Sequence, residues 1–242
     1  MSKMKIRLIE KVDFKNKIFI TGFRSHIGQV GYIATKHLVD FCNAKRIGFV
    51  ETKFMSPSAY MGKQGILTPY ELYQLDSFII FIERVPLQKM EWNLITYGLA
   101  KWVIKNQFKE AILIGGLDNE FKDDDDLKIV STSSAIERAK KLNYNFLDEN
   151  LGIYGPLALI LSYFEIYNFP AYALLAYAER GRPDPRAAAV AISALSKIYN
   201  ITLDTKQLLE DAKEIEREIQ AIIDQQQKLI ERERSDSNNI YI

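Results

Sequence analysis

The sequence predicts an α/β fold, with a mainly parallel sheet, helices on both of its faces and a long C-terminal helix. Three observations lead there. Predicted strands alternate with predicted helices as far as residue 203. The runs at 77–82 and 111–114 are apolar almost throughout, as in strands buried on both faces. From Asp204 to Arg234 the chain has no Gly or Pro and is rich in Glu, Lys, Arg and Gln, which predicts one uninterrupted helix.

In chain order, residues 4–9 and 17–21 read as strands with a polar turn at 13–16. The second strand ends in a glycine-bearing loop from Gly22. A helix follows to about Phe41, with Ile27, Val30, Ile33, Ala34, Leu38 and Phe41 near helical spacing. Residues 46–50 form the next strand, Ser56-Pro57-Ser58 breaks the chain, and 65–75 reads as an irregular strand or hairpin. The apolar strand at 77–82 leads to a helix at 88–106 carrying Trp92 and Trp102. The second apolar strand, 111–114, is expected to stop at Gly115-Gly116. Then come an acidic loop ending in Asp123 to Asp126, a short strand at 128–131 and a helix near 132–141. Gly155-Pro156 opens a helix to about Tyr167, and 171–177 is the last strand. Asp184 and Pro185 supply an N-cap and a first-turn proline for an Ala-rich helix to about Tyr199. Thr202 or Asp204 caps the final helix. The expected organisation is therefore an α/β domain at 1–203, a helix at 204–234 and a mobile polar tail at 235–242.

The final helix carries a seam at alternating steps of four and three. Its members are Leu208, Ala212, Ile215, Ile219, Ile222, Gln226 and Leu229, with Leu209, Ile223 and Ile230 widening it. A helix about 45 Å long must lay such a stripe on something. Its own domain and a partner helix are both open.

Composition narrows the function. With 32 basic and 31 acidic residues, no global field argues for nucleic acid or an anionic membrane. One cysteine, Cys42, excludes an intramolecular disulfide and fits a reducing compartment. Met1-Ser2-Lys3-Met4-Lys5 precedes no apolar leader segment, and the apolar windows are too short to span a bilayer. A soluble, cytoplasmic protein is expected, with no membrane or nucleic-acid partner.

Candidate chemistry is sparse. The loop Gly22 to Gly31 follows a strand and opens a helix, where a phosphate could meet backbone N–H groups. It matches neither G-x-G-x-x-G nor a Walker A sequence. His26 and His37 have no partner motif to orient them as bases, and one Cys with two His makes a zinc site improbable. The Asp123–Asp126 run lacks the spaced ligands of an EF-hand and reads as a solvated loop tip. Arg180, Arg182 and Arg186 flank a helix start, where they could clamp an anion, cap carbonyls or join intersubunit ion pairs. No catalytic residue, metal or cofactor is therefore expected. The distinctive feature is the end of the chain. Polar Ser235 to Asn239 precede Ile240-Tyr241-Ile242, whose apolar groups, phenol and terminal carboxylate suit a pocket with a basic rim.

The chain resembles the proteasome assembly chaperone family in its archaeal form. The matching pieces are Gly22 and the segment Gly28-Gln29-Val30-Gly31-Tyr32-Ile33-Ala34, the Gly155-Pro156 helix, and the start Asp184-Pro185-Arg186-Ala187-Ala188. The charged C-terminal helix and the terminal hydrophobic-Tyr-X motif complete the likeness. The resemblance implies a nucleoside phosphorylase-like α/β architecture without catalytic activity. It also implies homo-oligomers, or hetero-oligomers with a paralogue, acting on 20S proteasome α-subunits. Ile240 would fill the apolar part of an inter-subunit pocket, Tyr241 would pack and hydrogen-bond at its wall, and Ile242 would offer its carboxylate to a lysine. Several tails on one oligomer would add avidity. The competing reading is an enzyme, a nucleoside phosphorylase-like hydrolase or an ATP-dependent ligase, using the Gly22–Gly31 loop. A third is a self-assembling protein whose C-terminal helices only join subunits.

Overall fold

A computed structural model describes residues 4–63, 65–149 and 151–221 of the protein. The strands are β1 (Lys5–Leu8), β2 (Ile18–Gly22), β3 (Lys45–Glu51), β4 (Tyr60–Gly62), β5 (Gly65–Leu67), β6 (Tyr70–Leu75), β7 (Phe78–Glu83), β8 (Glu110–Asp118), β9 (Leu127–Ser131) and β10 (Ala171–Ala178). The helices are α1 (Val30–Asp40), α2 (Lys89–Lys105), α3 (Ile136–Ala139), α4 (Pro156–Ile166) and α5 (Pro185–Tyr199). A further helix, α6, occupies residues 206–221 up to the end of the described chain.

Eight strands form one sheet in the order β1-β3-β6-β7-β2-β8-β10-β9, and β4 pairs with β5 in a separate hairpin. The centre, β7-β2-β8-β10, is parallel. The flanks are antiparallel, because β3, β6 and β7 meander and β1 and β9 pair back along the edges. The expected parallel sheet is thus its central four strands, within a mixed sheet. Helices cover both faces. Residues of α1, α5 and the start of α6 share one core with Ile20, Ile80, Ile112 and Leu174. Residues of α2 and α4 share the other with Phe19, Phe81, Leu113 and Leu175. The alternation of facing residues along β2 and β8 feeds the two layers in turn.

Two local expectations are corrected. Strand β8 does not stop at Gly115-Gly116 but runs through both glycines to Asp118. The pair marks a close approach: a Cβ on Gly116 would lie 2.6 Å from the Ile27 carbonyl oxygen. The expected helix near 132–141 is broken into 3-10 turns at Ser133–Ala135 and Lys140–Leu142 around the four-residue α3. Asp184 caps α5 as expected, accepting from the Ala187 N–H at 3.0 Å. At the start of α6, Asp204 accepts from the Lys206 N–H at 2.9 Å and Thr205 O accepts from Leu209 N. Among the described residues no helix is long and apolar enough to cross a membrane.

Candidate functional site

In open α/β sheets ligands settle beyond the carboxyl ends of the parallel strands. Here those ends are Gly22, Glu83, Asp118 and Ala178. The loop after β2 is packed against backbone on three sides. A Cβ on Gly22 would lie 2.5 Å from Gly31 Cα, and one on Gly31 would lie 2.4 Å from Ile114 O. Only glycines let α1 sit this close to β2 and β8. Gly28, at φ 59°, and Gln29, at φ 49°, turn the chain into the helix.

Two donors of that loop are engaged by the protein itself. Gly28 N donates to Glu179 O at 2.8 Å, and the loop's acceptors His26 O and Gly28 O receive Gly181 N and Asp184 N, each at 2.8 Å. Arg24 N donates to the Glu83 carboxylate. Glu83 is buried and also receives the Leu87 N–H; burial pushes its carboxyl up to about 8 against these hydrogen bonds. A carboxyl of the protein's own thus takes the Arg24 donor of this turn. The Arg24 guanidinium stacks over the Tyr32 ring, 3.5 Å from its centroid, and bonds Gln29 Oε1 at 2.7 Å.

His37 plays a structural part. His37 is buried on α1 and its Nε2 donates to Asp204 O at 2.6 Å, pinning the segment before α6. His26 is exposed in the loop.

The three arginines expected near α5 find partners within their own chain. Arg180 pairs with Asp118, Arg182 lies 4.0 Å from Glu179, and Arg186 reaches Glu216 on α6 at 2.7 Å. Arg182 and Arg186 line a cleft of about 310 Å³ with Lys122, Tyr177, Ile215 and Glu216. Its charges come as pairs, Lys122 with Asp126 and Arg186 with Glu216. Among the described residues no group of three or more His, Cys, Asp or Glu side chains is placed to hold a metal. The acidic loop before β9 carries its own cation: Lys128 Nζ lies 2.5 Å from Asp123 and 2.7 Å from Asp125. These hydrogen bonds raise the Lys128 ammonium and lower both carboxyls from their usual ranges.

Of the seam residues, Leu208 and Ala212 are buried against the body, at 3% and 5% exposure, while Ile215 and Ile219 are half-buried. Ile222, Leu229 and the terminal Ile240, Tyr241 and Ile242 lie outside the described residues.

Sequence reasoning missed four buried glutamates. Glu71, Glu83, Glu91 and Glu110 are each at most 1% exposed. Glu71 accepts from Arg46 Nη1, Thr68 N, Tyr73 Oη and Arg84 Nε at 2.8–3.0 Å. Glu91 accepts from Tyr70 Oη at 2.6 Å and Thr52 Oγ1 at 2.8 Å. Glu110 pairs with Arg138 and Tyr199. Glu71 and Glu83 do sit within or beside apolar strand runs, which was the available signal.

A sequence profile of the PAC2 family matches residues 19–223. The chain belongs to the PAC2 family. An uncharacterized protein of Methanocaldococcus jannaschii is 26% identical over 230 residues, 93% of each chain. Among solved structures, this PAC2 protein is similar to Pyrococcus furiosus PbaA, described as an archaeal homolog of proteasome-assembly chaperone. That match has 25% identity and a TM-score of 0.77, and covers 93% of this chain and 99% of PbaA. It shares its fold with P. furiosus PbaB, described as an archaeal proteasome activator, at 22% identity and a TM-score of 0.76, over 92% and 99% of the two chains. The family resemblance expected from the sequence is shown.

Proposed function

We propose that this PAC2 protein is a proteasome assembly chaperone or activator. It acts without catalysis or ATP, docking Ile240-Tyr241-Ile242 between the α-subunits of a 20S proteasome in the cytoplasm. The observation that carries this reading is the family match across residues 19–223 together with the near-complete overlap with PbaA. Two features of the fold support it. The glycine turn that would serve a nucleotide-using enzyme has Gly28 N, Arg24 N and the adjoining carbonyls engaged by the protein itself. In addition, α6 is anchored at its first turns by Leu208 and Ala212. Carried on a homo-oligomer, or on a hetero-oligomer with a paralogue, several tails would engage several pockets, and avidity would compensate for a weak single contact.

The test is capture of archaeal-type 20S particles or α-subunits by the full-length protein and by a variant lacking residues 240–242. The truncated protein keeps its fold and loses capture. Tyr241→Ala weakens binding by about 2 kcal/mol, the loss expected of an interfacial anchor. Unchanged capture by the truncated protein overturns tail docking. Saturable binding of ATP or a nucleoside in calorimetry overturns the non-enzymatic reading.

A further inference from the structure

The outer surface of α2 carries a stripe of exposed residues. Met90, Asn93, Tyr97, Lys101 and Lys105 follow one another at steps of three or four, and all five are exposed. Beside them α4 presents Tyr163, Ile166 and, at its C-cap, Tyr167, with Ile166 68% exposed. The aromatic part is tied together. Tyr97 meets the Tyr163 ring edge-on with centroids 5.3 Å apart, and Tyr163 Oη donates to Asn93 Oδ1 at 2.9 Å. Lys101 Nζ lies 4.4 Å from the Tyr167 ring centroid. A surface whose side chains are already ordered loses little entropy when something binds to it.

The charge here has one sign. The carboxylate of α2, Glu91, is buried and bonded to Tyr70 and Thr52. That of α4, Glu165, turns to Ser133, accepting from its N–H at 2.7 Å and its Oγ at 2.6 Å. Lys101 and Lys105 are left without an acidic partner among the described residues. The basic run continues past the end of α2. Phe14 packs on Trp102, with ring centroids 4.8 Å apart, and so holds the turn before β2 against the helix. Lys109 N donates to Lys17 O at 2.8 Å, with exposed Lys15 two residues before Lys17. Asp13 and Asp76 are the exposed carboxylates at that end, so the lysines outnumber them.

We propose that this surface docks an acidic, extended segment of a partner protein. Its carboxylates meet Lys101 and Lys105, and its apolar side chains rest on Tyr97, Tyr167 and Ile166. The stripe from Met90 to Lys105 is about 22 Å long, the reach of roughly seven extended residues. The aromatic geometry favours a peptide over nucleic acid. Stacked bases need open ring faces, whereas Lys101 covers a face of Tyr167 and Tyr97 meets Tyr163 edge-on. A lipid surface takes apolar side chains inserted below the headgroups, whereas Tyr163 and Tyr167 are held down by Asn93 and Lys101. The site is separate from the C-terminal residues and stands even where the tail binds nothing.

The probe is a fluorescein-labelled heptapeptide alternating Glu with Leu, read by anisotropy against the full-length protein. The wild type binds it, and binding weakens as salt rises. Lys101→Glu with Lys105→Glu lowers the affinity about tenfold or more, since like charges then meet. Tyr97→Ala lowers it severalfold. All three positions are exposed, and thermal melts check that each variant folds. Where the double reversal melts early, Lys101→Gln with Lys105→Gln removes the charge alone and shows the same loss. Sedimentation of the variants stays that of the wild type. A wild type that ignores the peptide, or folded variants that bind it equally well, overturn the proposal. Tighter binding of oligouridine RNA or of phosphatidylserine vesicles than of the peptide also overturns it. So does a variant whose assembly state changes, because the surface then joins copies of the chain.

Discussion

Arg186 at the start of α5 and Glu216 on α6 meet at 2.7 Å, yet the side chains are 60% and 52% exposed. The pair marks where the C-terminal helix crosses the body without securing it, because exposed ion pairs contribute at most about 1 kcal/mol. Leu208 and Ala212, buried at the start of the same helix, hold it. Leu208→Ala is expected to cost about 2 kcal/mol or more in denaturant unfolding. Arg186→Ala should cost less than about 1 kcal/mol, and hydrogen exchange in α6 should rise only in the first variant.

Glu71 gathers four donors in a site closed to solvent. Replacing it with Ala strands two arginines, and the expected loss is about 3–5 kcal/mol. The same substitution unties Thr68 and Arg46, so proteolytic cleavage should appear first in the segment 52–69 around the β4–β5 hairpin. Cleavage confined to other loops would contradict that role.

Gly31 admits no side chain, since a Cβ would meet Ile114 O at 2.4 Å. Gly31→Ala is expected to destabilise by about 2 kcal/mol or more, through displacement of α1 from the sheet. Gly155 also has a positive φ, 86°, but nothing within 4 Å of an added Cβ. Gly155→Ala should therefore show the smaller cost of strain alone, read as a smaller drop in Tm.

Glu83 gives a pH dependence with a definite sign. Its carboxyl is raised from 4.5 to about 8 by burial, so between those values the folded protein holds a proton that the unfolded chain has released. Stability falls as pH rises through that window, by up to about 1.4 kcal/mol per pH unit for one group. It becomes flat in this group above about 8. Arg24, whose charge opposes the shift, and Glu91, whose charge adds to it, are the charged neighbours. Glu83→Gln should flatten the slope of denaturation midpoint against pH between 5 and about 8, relative to the native protein. An unchanged slope would place the titration elsewhere.

Lys128 fills the space between Asp123 and Asp125 that a cation would need. Calorimetry should show no calcium binding to the native protein. Lys128→Met should destabilise the loop, seen as faster hydrogen exchange at residues 123–128.

The elements that could be read ahead of the structure are those whose signal is local. Asp184-Pro185 announces α5 because a capping carboxylate and a fixed φ act within one turn. The apolar run at 77–82 announces β7 because burial on both faces leaves no polar alternation. Gly115-Gly116 misleads for the opposite reason. Its cause is the Ile27 carbonyl arriving from far along the chain, and no window around residue 115 contains that fact. The buried glutamates were hidden likewise: Glu71 is satisfied by Arg46 and Arg84, partners known only once β3, β6 and β7 lie side by side.

The position of β2 in the sheet has a consequence for synthesis. Its neighbours are β7 and β8, with Ile18 beside Phe78 on one side and Glu110 on the other. A strand with every residue buried emerges from the ribosome well before either neighbour exists. At about 5–20 residues per second it waits several seconds for the first and longer for the second. During that interval Ile18, Phe19 and Ile20 have neither flanking strand to cover their edges, and the strand's pairing is complete only once β8, ending at Asp118, has been made.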